Sequence, residues 1–193
     1  MGLTQKQKTK YYKKTQMADK VILKNVKKKG HIIYGARAVN QRLPVYLKKP
    51  TEDYDILSTT PKKTAKRVEK KLDKKYGGNY FDTKPAMHPG TYKVINLVTK
   101  RGIADYTKPT NKVPYSKIKG IKYAKLSYQK DRIKQSLGDP KSKFRHEKDK
   151  ETLQRIKIKE STKRKPRQKK QKFRLLNLNQ KPNLFRGMKG GKI

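Results

Sequence analysis

A formal net charge of +41 on 193 residues limits what this chain can fold into more than any other feature. Its 55 Lys and Arg face only 14 Asp and Glu, whereas a self-sufficient small domain carries a net charge of roughly 2–8. Self-repulsion of that size asks for a polyanion, and nucleic acid is the usual one, DNA and RNA being equivalent to a reading from charge alone. With 32% hydrophobic residues, the expectation is one core of about 100–150 residues with basic tails, rather than a core over the full length. No apolar run approaches the roughly 18 residues of a membrane helix, so no membrane partner is expected. The basic start, MGLTQKQKTKYYKKTQ, leads into no apolar stretch of the kind a secretory signal needs. The expected location is therefore intracellular, in a nucleus or a virion. The absence of Cys removes disulfides, thiolate zinc sites and cysteine nucleophiles.

The surplus is unevenly placed. Residues 1–30 hold 10 Lys and Arg with 1 acid, residues 31–115 hold 18 with 7, and residues 116–193 hold 27 with 6. Half of the acids thus fall in the segment with the clearest apolar periodicity. The expected organisation is a basic arm over 1–15, an α/β core over 16–115, a helical appendage over 116–160 and a basic tail over 161–193. The tail has no lasting period, and a disordered or partner-ordered segment is expected there. Its Lys163, Arg164, Lys165, Arg167, Lys169, Lys170, Lys172 and Arg174 are the expected nucleic-acid contacts. The run at 163–170 also fits a nuclear localisation signal.

Local patterns give the core its elements. Residues 16–29 suit a helix capped by Thr15, with Ala18, Val21, Ile22 and Val26 at helical spacing and Gly30 as the stop. Residues 31–34 predict a strand entering a glycine turn, 36–43 a helix and 53–57 a strand. Thr60-Pro61 opens the clearest helix, where Ala65, Val68, Leu72 and Tyr76 share a face and Gly77-Gly78 closes it. Strands are expected at 91–99 and 102–106, and helices at 127–137 and 144–158. The order is that of an α/β or α+β fold with a small mixed sheet. Tyr54, Tyr92 and Tyr106 are read as core residues, while Tyr11 and Tyr12, set among lysines, could stack on bases.

Asp53 and Asp55 stand two apart on a predicted strand, which would turn both carboxylates to one face with Tyr54 and Ile56 on the other. Such a pair calls for a positive partner, and hard oxygen ligands suit Mg²⁺ or Mn²⁺ held jointly with substrate phosphates. Asp105, in a later strand, is equally out of place. Three strand-borne carboxylates could serve metal-assisted phosphoryl or nucleotidyl transfer. Each motif alone also occurs at exposed strand ends without function.

The order of the parts is more specific. The glycine turn in IIYGARAVN (32–40), the paired Asp on the next strand and a third Asp about 50 residues on resemble the polymerase-β-type nucleotidyltransferase superfamily. The similarity is to its short members and to the catalytic cores of virus-type poly(A) polymerases. Residues 120–156 are similar to the helical segment that follows the sheet in such proteins, with FRHEKD (144–149) in the place of an Arg-x-x-Lys-Asp stretch. The resemblance, covering about residues 30–158, implies an α+β nucleotidyltransferase fold. It implies Asp53 and Asp55 as metal ligands, and Asp105 as third carboxylate and candidate base. It also implies that Gly35, Ala36 and Arg37 border an NTP. The chain departs from the family in carrying Ala36 where Ser or Gly usually follows the turn glycine, which removes a hydroxyl from the phosphate turn; Arg37 is a candidate replacement contact and equally a candidate exposed helix residue. Two other roles fit the charge: a catalytically inactive protein of this fold that packs nucleic acid in a virion or other particle, and a particle-associated structural protein in which the tails dominate. Arg145, Lys148 and Asp149 are read as helix-surface ion pairs.

Overall fold

The computed structural model describes residues 5–163, with side chains described over 16–162. A helix α1 (Gln5–Lys29) is followed by strand β1 (Ile32–Tyr34), a short helix α2 (Gly35–Asn40), strand β2 (Tyr54–Leu57) and helix α3 (Pro61–Tyr76). Strands β3 (Phe81–Pro85), β4 (Thr91–Asn96), β5 (Gly102–Thr107), β6 (Tyr115–Ile118) and β7 (Ile121–Ala124) come next. Helices α4 (Leu126–Gly138) and α5 (His146–Lys163) complete the described chain, joined by a 3-10 turn over Pro140–Arg145. Among the described residues no helix is long and apolar enough to cross a membrane.

All seven strands form one mixed sheet in the order β3-β4-β5-β2-β1-β7-β6. The pairs β2–β5 and β1–β7 are parallel and the rest antiparallel. The sheet is therefore an α+β sheet of the expected mixed type. One face buries Ile33, Tyr54, Ile56, Val94, Ala104, Tyr106 and Tyr123 beneath Ala18, Ile22 and Val26 of α1 and Ala65, Val68 and Leu72 of α3. The apolar spacing of the two helices selects this face. Thirteen of these side chains share one cluster with Ala38 and Phe81, and at ~25 cal/mol per Å² of apolar burial they hold the helices to the sheet. The other face carries only a small apolar group of Tyr34, Leu57, Val113 and Ala124.

Several expected boundaries shift. The N-terminal arm expected over 1–15 is helical from Gln5, so Thr15 lies inside α1 and cannot cap it. The division expected at 115/116 cuts β6, because the segment read as wholly helical contributes β6 and β7 to the central sheet. Their two-residue turn, Lys119-Gly120, has positive φ at both positions (51° and 79°), the backbone of the tight hairpin turns that follow the strand twist. A lysine at the first position hides a turn that Asn or Asp would have advertised. β3 escapes notice because Phe81 is its one buried residue. Helices α4 and α5 do form, and Val39, Leu43, Leu126 and Ile156 tie them to α2. Residues 164–193 lie outside the described residues. The tail contacts expected at Arg164, Lys165, Arg167, Lys169, Lys170, Lys172 and Arg174 lie there, as does the side chain of Lys163.

Candidate active site

The two central strands position the acids. Asp55 of β2 pairs in parallel register with Asp105 of β5, and in antiparallel register with Tyr34 of β1. Register partners point to the same face, and Tyr54 and Ile56 are buried on the other. Asp55 and Asp105 therefore stand on the face that α1 and α3 leave uncovered. Asp53 lies one residue before β2, exposed at the mouth of the site, where the Thr51 hydroxyl donates to its Oδ1 at 3.2 Å.

The three carboxylates sense one another. Burial pushes the Asp55 carboxyl up to about 6, and Asp53 and then Asp105 add like-charge repulsion, against partial relief from Arg132 and Lys148. Burial also raises Asp105, where the Lys93 ammonium opposes the effect. Lys93 Nζ lies 3.6 Å from Asp105 Oδ2, while Asp105 Oδ1 is buried without a hydrogen-bond partner. Among the described residues no three His, Cys, Asp or Glu side chains meet in metal-binding geometry. The donor set still fits a hard divalent cation. Mg²⁺ is commonly held by one or two carboxylates plus substrate phosphates, and repulsion together with an orphaned carboxylate oxygen favours any cation that enters.

The turn at Gly35 is built around Asp55. Gly35 has φ +64°, and a Cβ there would lie 2.0 Å from Asp55 Oδ2. The glycine thus clears room for the carboxylate as well as providing the left-handed turn. Its N–H donates to Oε1 of Gln129 at 3.2 Å. Gln129, on α4, is 4% exposed, and its Nε2 has no partner. Ala36 begins the body of α2 and brings no polar atom.

Arg37 departs from its expected place as a phosphate contact. Its Nε donates to the Asp53 carbonyl at 2.7 Å and its Nη2 to the Glu52 carbonyl at 3.1 Å. The guanidinium also stacks 3.5 Å from the Tyr54 ring centroid and faces Asp19 at 3.7 Å. A side chain held by four groups on the core side of β2 is a clamp on the segment that delivers Asp53 and Asp55.

Four polar contributors were not legible as site residues. Arg132 of α4 lies 4.6 Å over the Tyr34 ring and opposes the charge effect on Asp55, as Lys148 of α5 does. Gln129 and Lys93 are the others. Gln129 and Arg132, spaced i and i+3, share a helix face, a signal that needed knowledge of which face meets the sheet. Arg145 and Asp149 form the expected i, i+4 ion pair, bonded at 3.0 and 3.2 Å, with the Asp149 end buried and the Arg145 end 40% exposed. From Tyr34 a chain of hydroxyls runs through Thr107 to Thr91 at 3.0 and 3.1 Å.

The Asp55 environment makes a stability prediction. A carboxyl whose folded value is raised loses folding free energy as pH climbs from the unfolded value, near 4, to about 6, and the loss is complete above that. A shift of about two units corresponds to about 3 kcal/mol. Without divalent metal, Asp55→Asn is expected to melt several degrees above the parent at pH 7.5, the gap closing as pH falls from about 6 to about 4. Differential scanning calorimetry across that range checks it; a parent no less stable than the variant at pH 7.5 would contradict it.

Sheet order, flanking helices and the acids on the open face together define the fold of the polymerase-β-type nucleotidyltransferases. The crystal structure of the Megavirus polyadenylate synthase is similar, with a TM-score of 0.63 and 21% identity over 74% of this chain and 30% of that one. A Helicobacter pylori protein, JHP933, matches at 14% identity and a TM-score of 0.43, over 74% of this chain and 61% of that one. Residues 20–143 match the model of the poly(A) polymerase catalytic subunit family, and the chain belongs to that family. It spans under a third of the Megavirus chain. No curated protein sequence matches it.

Proposed function

We propose that this chain is a divalent-metal-dependent nucleotidyltransferase that extends the 3′ end of a nucleic acid, with ATP and an RNA end as the first substrates to test. The observation that carries the reading is the coupling of Asp53, Asp55 and Asp105 on the open face, with Gly35 leaving space for the Asp55 carboxylate. Family membership supports the reaction class, and the Megavirus relative is a polyadenylate synthase.

Asp53 and Asp55 would hold Mg²⁺ or Mn²⁺, which supplies Lewis-acid charge to the triphosphate and the leaving pyrophosphate. The Asp105 carboxyl, raised by burial, accepts the proton of the acceptor hydroxyl. The freed oxygen bonds to the α-phosphorus as the bond to the bridging oxygen breaks, and pyrophosphate leaves. The Lys93–Asp105 contact of 3.6 Å must loosen for this transfer. Gln129 fixes the Gly35 turn from above, and Arg132 and Lys148 bring positive charge to the side of Asp55 that faces the helices. Because Asp55 must be ionised to bind metal, transfer at limiting metal concentration rises with pH through about 6. A rate that is flat from pH 5 to 7.5 would count against its role.

The same Lys93 contact also favours a second reading, in which the fold has lost catalysis and serves as a nucleic-acid-packing component of a virion or other particle. Both readings share the basic surplus. The chain is expected to bind nucleic acid with a slope of log affinity on log salt of about −0.9 per phosphate neutralised on duplex DNA, or about −0.7 on single strands. Fluorescence anisotropy over a salt series checks this, and a slope near zero would remove both. Residues 163–174 are proposed to supply many of these contacts, so removal of 164–193 should flatten the slope while the body still melts cooperatively.

A further inference from the structure

Around the catalytic pole the cations are largely spoken for: Arg37 faces Asp19, Lys93 faces Asp105, Arg101 binds Glu52 and Arg145 binds Asp149. The opposite pole differs. β1 leads from Gly30 to Gly35, which at ~3.3 Å per residue lie up to about 16 Å apart. At the Gly30 end three elements converge. Lys29 of α1, Arg67 of α3 and Lys122 of β7 all act electrostatically on His31, which they and burial hold below its ordinary value. Lys27 lies against Gly120 of the hairpin turn, and Lys122 Nζ lies against Gly30. Among the described residues none of Lys27, Lys29, Arg67 and Lys122 ion-pairs with an acid. Four cations gathered without a counter-ion carry a free-energy cost that a bound polyanion would remove.

One aromatic side chain borders the patch from the Gly35 end: Tyr115 lies on the row of Ala124, Tyr34 and Asp55, three strands from Asp55, and meets the patch through Lys122. Tyr115 of β6 is 41% exposed, and Lys122 Nζ sits 4.8 Å from its ring centroid. A cation beside an exposed ring is the pairing that binds single strands, the ring stacking a base and the ammonium meeting a phosphate. A duplex keeps its base faces covered and gains nothing from the ring. An anionic membrane would favour exposed aliphatic residues beside the lysines, but Val45, Met87, Val98 and Phe144, the most exposed large apolar side chains, belong to other parts of the fold.

We propose that the β6–β7 hairpin, with the adjoining C-terminal end of α1 and Arg67 of α3, is a docking surface for single-stranded nucleic acid. Tyr115 stacks a base, and Lys27, Lys29, Arg67 and Lys122 contact phosphates. The surface gathers its cations at the Gly30 end of β1, whereas Asp55 pairs with Tyr34 at the Gly35 end, and binding there requires neither NTP nor metal. It is therefore independent of whether the chain catalyses.

The test is anisotropy of a labelled oligouridylate with the full chain, without metal or NTP, over a salt series. Lys27→Gln/Lys29→Gln/Lys122→Gln is compared with Lys70→Gln/Lys74→Gln/Lys75→Gln, which removes equal charge from the outer side of α3. The first is expected to lower the magnitude of the log–log slope by about 2, at about 0.7 per lost phosphate contact, and to weaken binding about tenfold or more. The second should leave the slope near the parent's. Tyr115→Ala should weaken binding about tenfold at unchanged slope, and Tyr115→Phe should restore it. Equal effects of the two triple variants, or a silent Tyr115→Ala, would overturn the proposal. So would a first triple variant that loses binding to phosphatidylserine vesicles while keeping oligouridylate. If the Lys122 substitution disturbs melting, Lys122→Met keeps the stem and removes only the charge.

Discussion

Asp53→Ala/Asp55→Ala should abolish nucleotidyl transfer, lowering it by a factor of about 10³ or more in assays with labelled NTP, Mg²⁺ or Mn²⁺, and an RNA acceptor. Removing the two proposed metal ligands would forfeit several kcal/mol of transition-state charge stabilisation, and each ~1.4 kcal/mol is tenfold in rate. Asp55→Ala alone should account for most of the loss, because Asp55 is the carboxylate flanked by both others and seated against the Gly35 turn. Asp53 is exposed at the entrance and its loss should be milder. The variant should fold at least as well as the parent, since it removes the repulsion held in that cluster. Label transfer equal in parent and double variant would end the catalytic reading and leave the packing role.

The second large effect belongs to Gly35→Ala. At φ +64° an alanine costs about 1–2 kcal/mol in backbone strain alone. Its Cβ would also fall 2.0 Å from Asp55 Oδ2, a separation that something must relieve. We expect a total loss of about 3 kcal/mol or more, a fall in melting temperature of roughly 6–12 °C, and loss of transfer. The combined variant Gly35→Ala/Asp55→Ala separates the two causes, because clashing neighbours are non-additive. It should melt well above Gly35→Ala while remaining inactive. If removing Asp55 restores no stability, the glycine is needed for the turn alone and the steric account fails.

What was legible in the chain follows from where its signals are local. Ala65, Val68, Leu72 and Tyr76 announce α3 because helical spacing lies within one segment. The fold class and the strands carrying Asp55 and Asp105 follow from similarly local patterns. β6 and β7 resist detection because each is only four residues long and their turn begins with Lys119. Arg37 illustrates a different limit. Its type and position suit a phosphate contact, and only tertiary structure reveals the two carbonyls, the ring and the carboxylate that engage it. Gln129 and Lys93 were silent for the same reason: a polar residue on a helix or strand says little until its opposite neighbour is known.

The parallel pairing of β1 with β7 bears on the order of events during synthesis. Ile32 meets Lys122, about 90 residues later, and such distant pairings form slowly because loop closure must precede any gain. While the chain emerges, Asp55 and Asp105 can come together on β2 and β5 before α4 and α5 bring Gln129, Arg132 and Lys148 to the open face. The acidic cluster would then pass through a stage with few nearby counter-charges, when divalent cations or cellular polyamines have their greatest leverage. An emerging chain with residues up to about 125 free of the ribosome should be more sensitive to Mg²⁺ than the finished protein, so a divalent cation would act on folding first.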